Sequence, residues 1–151
     1  MAADSALFDL TNALQPVRRA WVQAASTIFA EFGLSTSLGT VVLWTSRLGP
    51  AVPQKELALE VGVNPAALVR TLDQGEAAGL LERSAVSGDR RSNRISLLPQ
   101  GKTLAAAMEQ KLAKLRQDLL GSLPPEEIET TKRILRMLEE RAQAYMQRGQ
   151  A

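Results

Sequence analysis

The chain contains no cysteine and no histidine among its 151 residues. Without thiols there is no disulfide, thiol redox switch or thiolate metal site, and without imidazole there is neither a histidine metal ligand nor the usual pH sensor. Nucleophilic catalysis by Ser-His-Asp or Cys-His sets is excluded with them. Aromatic residues are scarce, at two Trp, one Tyr and three Phe, while Ala and Leu abound at helical spacing, so a mainly α protein is expected. No apolar run is long enough to span a bilayer, and the opening MAADSALFDL lacks the basic-then-apolar form of a signal peptide, which points to a cytoplasmic protein. Carboxylate pairs are present as Glu126-Glu127 and Glu139-Glu140, but both lie in a stretch rich in Lys and Arg, where solvated surface pairs are the expected outcome. There is no nucleotide-binding glycine loop. An enzyme is not expected, nor a cofactor or a metal.

What is present is a local concentration of positive charge. Net charge is only +2, with a pI near 9.3, yet Arg83, Arg90, Arg91 and Arg94 fall close together with Asp89 as the lone acid between them. A basic patch of this kind suits a nucleic-acid partner.

Apolar residues at Leu7, Leu10, Leu14, Val17, Trp21, Ala25, Ile28 and Phe32 form one helical stripe. Pro16 interrupts it, which predicts either two helices, the second starting near Pro16, or a single kinked one. Gly33 closes the stretch as a C-cap. A second helix is predicted from Thr36 to Leu48, capped by Ser35 or Ser37 and stopped by Gly49-Pro50. A short third helix, Gln54 to Val61, starts on Pro53, and Gly62-Val63-Asn64 reads as a tight turn in which Asn64 caps a fourth helix with Pro65 in its first position. That fourth helix runs to Ala78 before Gly79. Leu68 and Leu72 point inward, leaving Ala66, Val69, Arg70, Asp73 and Gln74 on the outer side.

Leu80 to Ala85 and Arg94 to Leu98 are short strands, and Ser87-Gly88-Asp89 turns between them into Arg90 and Arg91. After Pro99-Gln100-Gly101 a helix is predicted from Lys102 to Leu120 with Leu104, Met108, Leu112, Leu115 and Leu119 on one stripe. A last helix opens at Pro124-Pro125 with Glu126 and Glu127 suited to its dipole. Its Ile128, Thr131, Leu135, Leu138, Ala142 and Tyr145 repeat in steps of three and four, the kind of seam that a second chain covers. A dimer built from the terminal helices is expected.

Taken together, VGVNPAALVRTLDQGEAAGLLER followed by SGDRRSNRISLLPQGK resembles the MarR (multiple-antibiotic-resistance regulator) family of winged helix-turn-helix transcription factors. The resemblance rests on the ordered set G-V-x-P, V-R-x-L-D, G-L-L, D-R-R and L-x-P-x-G-K, and the flanking helices extend it over nearly the whole chain. It implies a mainly α fold with a small β-hairpin wing: a single domain with residues 5–33 and 102–148 as a helical dimerisation region and 36–99 as the winged helix-turn-helix lobe. It further implies a homodimeric regulator, commonly a repressor, whose two lobes enter successive major grooves of an inverted-repeat operator. Many such proteins release DNA when a small phenolic or aromatic ligand binds between dimer stem and DNA lobe.

Carried over position by position, the resemblance makes the helix starting at Asn64-Pro65 the recognition helix, with Arg70 as the arginine of its V-x-R segment, and Asp89, Arg90 and Arg91 the wing tip. Base readout then rests on Arg70, Asn64 and Gln74 with apolar contacts from Ala66 and Val69, and Arg94 joins the wing contacts. Arg90 or Arg91 would enter a minor groove, with phosphate left to the other and to Arg94. For Arg70, a base or phosphate contact is favoured over an ion pair to Asp73 or Glu76 on its own helix. Trp21 and Trp44, with Phe29, Arg18 or Arg19, would suit an aromatic carboxylate, although core packing is the favoured reading of aromatics at this spacing. The chain departs from the family pattern at Gly75, where a leucine is usual, and at Thr71. A helical Gly costs about 1 kcal/mol relative to Ala, and the missing leucine predicts a cavity and a loosely held fourth helix. Ala66, Ala67 and Val69 replace the usual Ser or Thr residues and can touch a thymine methyl but not hydrogen-bond a base. The other class of function to weigh is a winged-helix module that binds protein.

Overall fold

The computed structural model describes residues 2–86 and 89–149, with side chains from 4 to 85 and from 93 to 149. By its contacts the chain divides into two compact units, Met1–Ala113 and Lys114–Ala151. The first unit begins with α1 (Ala2–Glu31), one continuous helix with Pro16 inside it. Of the two outcomes left open for Pro16, the single helix is the one formed. Pro16 removes one backbone donor in a stretch whose residues are all exposed, so the carbonyl it leaves unbonded can meet water. The helix ends as its capping glycine requires: Gly33 has φ 71°, and the Leu34 N–H donates to the Phe29 carbonyl at 3.1 Å.

α2 (Thr36–Leu48) is capped by Ser35, whose hydroxyl accepts from the Leu38 N–H. It is the centre of the core, with Val41 and Val42 wholly buried, and it packs on α1, α3 (Gln54–Val61) and α4 (Pro65–Ala77). Between α2 and α3 lies β1 (Val52–Pro53), a strand that sequence periodicity missed. Two residues carry no period, and β1 exists only because Val52 pairs with Ile95, far along the chain. Pro53 therefore sits in an edge strand, where a missing N–H is tolerated, and precedes the helix instead of opening it.

The sheet has the order β1-β3-β2, all antiparallel, with β2 at Leu81–Val86 and β3 at Asp89–Leu97. β3 starts earlier than the alternation at Arg94 predicts. The turn predicted at Ser87-Gly88 lies outside the described residues. Leu81 faces Leu97 and Arg83 faces Ile95, so Leu81 and Ile95 close the core beneath Leu57, Leu68 and Leu72.

α5 (Pro99–Leu120) starts at Pro99, three residues before the predicted Lys102. Gly101, read from sequence as part of a break, lies inside the first turn: a Cβ there would run into the backbone carbonyl of Leu80. Glycine is required by this close approach, not by a turn. Met108 and Leu112 of α5 are buried, whereas Leu119, predicted on the same stripe, is exposed.

Gly75 corrects a second expectation. A Cβ there would meet Leu81 Cδ2 at 2.7 Å and Leu38 Cδ1 at 3.3 Å, so the side chains of Leu81 and Leu38 already fill the space that a leucine takes in the family pattern. No cavity results, and α4 is anchored by Leu68 and Leu72, both with no exposed surface. Thr71 is equally settled, buried with its hydroxyl donating to the Ala67 carbonyl at 3.2 Å.

The second unit holds the end of α5 and α6 (Pro125–Arg148), which has no buried residue. Among the described residues no single helix is long and apolar enough to cross a membrane.

Candidate nucleic-acid interface

α3, a three-residue turn and α4 form the helix-turn-helix. Gly62 takes the left-handed backbone, φ 75°, and its N–H bonds the Ala58 carbonyl, which stops α3. Asn64 caps α4 by accepting from the Ala67 N–H at 2.8 Å, with Pro65 in the first turn. Asn64, expected to read DNA, thus also serves as the cap of α4 through its amide oxygen.

The outer face of α4 is as the spacing predicts: Pro65, Ala66, Val69, Arg70, Asp73 and Gln74 are exposed. The alternative weighed for Arg70, an ion pair within its own helix, is not formed with the expected acids. Asp73 and Glu76 both bind Arg83 instead, each at 2.5 Å, and the Arg83 N–H donates to Glu76 Oε1 at 2.9 Å. The Arg83 side-chain hydrogen bond, stronger than the cost of burial, holds the Glu76 carboxyl below its ordinary value of 4.5, and the same bond raises the Arg83 guanidinium further. Arg83, counted from sequence in the basic patch, is thus a clamp between the end of α4 and the start of β2.

Two more contacts tie the sheet down. Arg94 Nη1 donates to the Ala51 carbonyl at 3.1 Å, and Asn93 Nδ2 donates to Gln54 Oε1 at 3.4 Å. Arg94 remains exposed on β3. The backbone of Asp89, Arg90 and Arg91 belongs to β3, while their side chains lie outside the described residues.

Behind α4 is a cleft of about 420 Å³ lined by α1, α2, the end of α3 and the turn after it, α4 and Leu112 of α5. Of the five predicted ligand residues, Arg18, Trp21, Phe29 and Trp44 line it and Arg19 does not. Phe29 is at the same time a core residue, 2% exposed. Sequence reasoning missed Arg47, Glu60, Ala67 and Thr71 on its walls. Arg47 lies over the Trp44 ring, 5.4 Å from its centroid, and pairs with Glu109 at 2.9 Å. A cation three residues after a predicted lining Trp was the available signal. Ala67 and Thr71 belong to α4 itself, so one wall of the cleft is the back of the candidate reading helix. Among the described residues no group of three potential metal ligands occurs.

A capped helix presented behind a tight turn, beside a three-stranded sheet with its hairpin, defines a winged helix-turn-helix protein. Residues 32–92 match the family model described as MarR family. The crystal structure of transcriptional regulator PA3341 is similar at 31% identity and a TM-score of 0.82, covering 89% of this chain and 98% of that one. CouR from Rhodococcus jostii RHA1 bound to p-coumaroyl-CoA shares the fold at 20% identity, TM-score 0.75, over 86% and 91% of the two chains. So does wild-type MarR from E. coli in its apo form, at 21% identity and TM-score 0.71 over 85% and 96%. The chain belongs to the MarR family of winged-helix transcriptional regulators.

Proposed function

We propose that the protein is a homodimeric, sequence-specific DNA-binding regulator, a repressor that occupies an inverted-repeat operator. The observation that carries this reading is the outer face of α4, where Arg70 stands exposed while the two acids of its own helix bind Arg83. A guanidinium in that position suits a bidentate guanine contact, worth about 1–3 kcal/mol of discrimination. Ala66, Val69 and Gln74 flank it, with Asn64 and Pro65 at the helix start. Asp89, Arg90, Arg91 and Arg94 serve as the wing contacts to minor groove and phosphate. In this reading residues 36–99 are the DNA lobe, and 5–33 with 102–148 make the dimer.

The dimer is supported by apolar surface that the single chain leaves uncovered. Phe8 and Val17 of α1 are each 65% exposed, and Ile128, Leu135 and Tyr145 of α6 are exposed along one stripe. A two-fold dimer favours half-sites about 10 bp apart, one helical turn. The test is the Arg70→Ala variant: it should lose its preference for the operator over a shuffled duplex while keeping weak general affinity. Parent-like preference in that variant would remove Arg70 from base recognition.

The cleft supports control by a small aromatic carboxylate. Its 420 Å³ falls in the range of ligand pockets, and its Trp21 and Trp44 walls with Arg18 and Arg47 suit a flat anion. The p-coumaroyl-CoA bound to CouR is an aromatic acyl compound of related chemistry. Phenolic acids should quench tryptophan fluorescence and weaken DNA binding together; quenching without any change in DNA affinity would separate the cleft from regulation.

A further inference from the structure

The leading half of a recognition helix is the part that meets base edges, and in α4 the polar groups of that half are turned to other uses. Asn64 Oδ1, the acceptor that a paired adenine contact requires, holds the Ala67 N–H at 2.8 Å. Thr71 lines the cleft, and its hydroxyl donates to the Ala67 carbonyl. Asp73, further along, is drawn to Arg83. Before Arg70, α4 exposes Pro65, Ala66, Ala67 and Val69, of which Ala67 lines the cleft and Val69 is 39% exposed. Ala66 and Val69 are three residues apart, hence neighbours on one helix face.

The major groove offers such a surface one apolar feature per base pair at most, the methyl on C5 of thymine; unmodified cytosine shows only hydrogen there beside its N4 donor. We propose that the leading half of α4 reads pyrimidine C5 methyl groups: Ala66 and Val69 pack on the methyl of thymine, or of 5-methylcytosine, which carries it at the same ring position, and Arg70 adds the neighbouring hydrogen-bonded discrimination. The proposal rests on the DNA-binding reading above. It adds that affinity follows the methyl and not the rest of the base, so cytosine methylation at these positions strengthens binding.

The test starts from duplexes selected out of a random pool by the full-length protein. Affinity is then measured by fluorescence anisotropy with each thymine replaced by deoxyuridine in turn, and with cytosine or 5-methylcytosine placed at the sensitive positions. Each half-site should hold one or two thymines whose demethylation weakens binding about fourfold, the factor expected for one buried carbon. 5-Methylcytosine should recover affinity that cytosine loses at the same place. Val69→Ala, which trims the apolar surface but leaves Ala66 and one methyl, should reduce the thymine-to-deoxyuridine difference at one position of each half-site, with no reduction at any position counting against Val69 as a methyl reader. Equal affinity for thymine and deoxyuridine at every position, with Arg70→Ala still lowering the preference, would overturn methyl reading and leave DNA recognition standing. If no sequence is selected from the pool, both fall together.

Discussion

α4 and α6 carry apolar residues at the same helical spacing and meet opposite fates. In α4 the pair Leu68 and Leu72 is wholly enclosed by α2, β2 and their neighbours, and a helix of 13 residues is fully provided for. In α6 a longer and equally regular stripe leaves Ile128 and Leu135 exposed and Tyr145 77% exposed, with no residue buried. Periodicity therefore reports that a face needs covering, and says nothing of whether the cover comes from the same chain. For α4 the cover is internal, which leaves its outer side for a ligand such as DNA; for α6 the cover we propose is a second copy.

The contrast can be broken most forcefully on the internal side. Gly101→Ala places a Cβ against the backbone carbonyl of Leu80, so either the first turn of α5 or the backbone leading into β2 must shift. A loss of about 3 kcal/mol is expected in chemical unfolding; a loss below ~0.5 kcal/mol would mean that the contact relaxes freely. On the α6 side, Leu135→Asp should cost little in helix content but weaken the dimer about 100-fold, equivalent to ~3 kcal/mol. Sedimentation at a series of concentrations reads this directly, and an unchanged mass would take Leu135 out of the dimer seam.

A smaller effect probes how firmly α4 is joined to the sheet. Glu76 has its folded value lowered below 4.5 by Arg83, so the stability it adds is present above the unfolded value and is lost as pH falls through the folded one. Its side chain is 35% exposed, so solvent screening limits the contribution to about 1 kcal/mol. Glu76→Gln should therefore be less stable than the parent at neutral pH by about that amount, with the difference closing once pH drops below about 4.5. A difference that persists unchanged in acid would show that the Arg83 clamp does not depend on the Glu76 charge.

Much of the fold was legible because its boundaries are chemical. Gly33, Ser35, Gly62, Asn64-Pro65 and Gly79 each satisfy or terminate a helix end by themselves, and the helices begin and end beside them. The misreadings share a different cause: each depends on a residue distant in sequence. β1 needs Ile95 as its partner. Gly75 looks like a missing leucine until Leu81 is seen lying over it, and Gly101 looks like a break until the Leu80 carbonyl is seen against it. Arg83 looks like part of a basic patch because the acids that bind it precede it by a helical turn or more and a loop. The outward residues of α4 followed from local spacing alone. The cleft was legible in its aromatics, and Arg47 was signalled only by its spacing from Trp44, whereas the place of Thr71 follows from how α2 and α4 pack.

In the proposed function the outer face of α4 and the basic wing together recognise duplex DNA. The most direct measurement is a binding titration at two salt concentrations with duplex from the gene's own upstream region and with a shuffled duplex, for the parent and for an Arg90→Ala/Arg91→Ala variant. Phosphate contacts release counterions, so the parent should bind the upstream duplex preferentially and lose affinity steeply with salt, and the variant should lose both the preference and part of the slope. If neither duplex binds at low salt in the absence of ligand, the claim is contradicted, and the exposed apolar residues of α4 become a surface for protein.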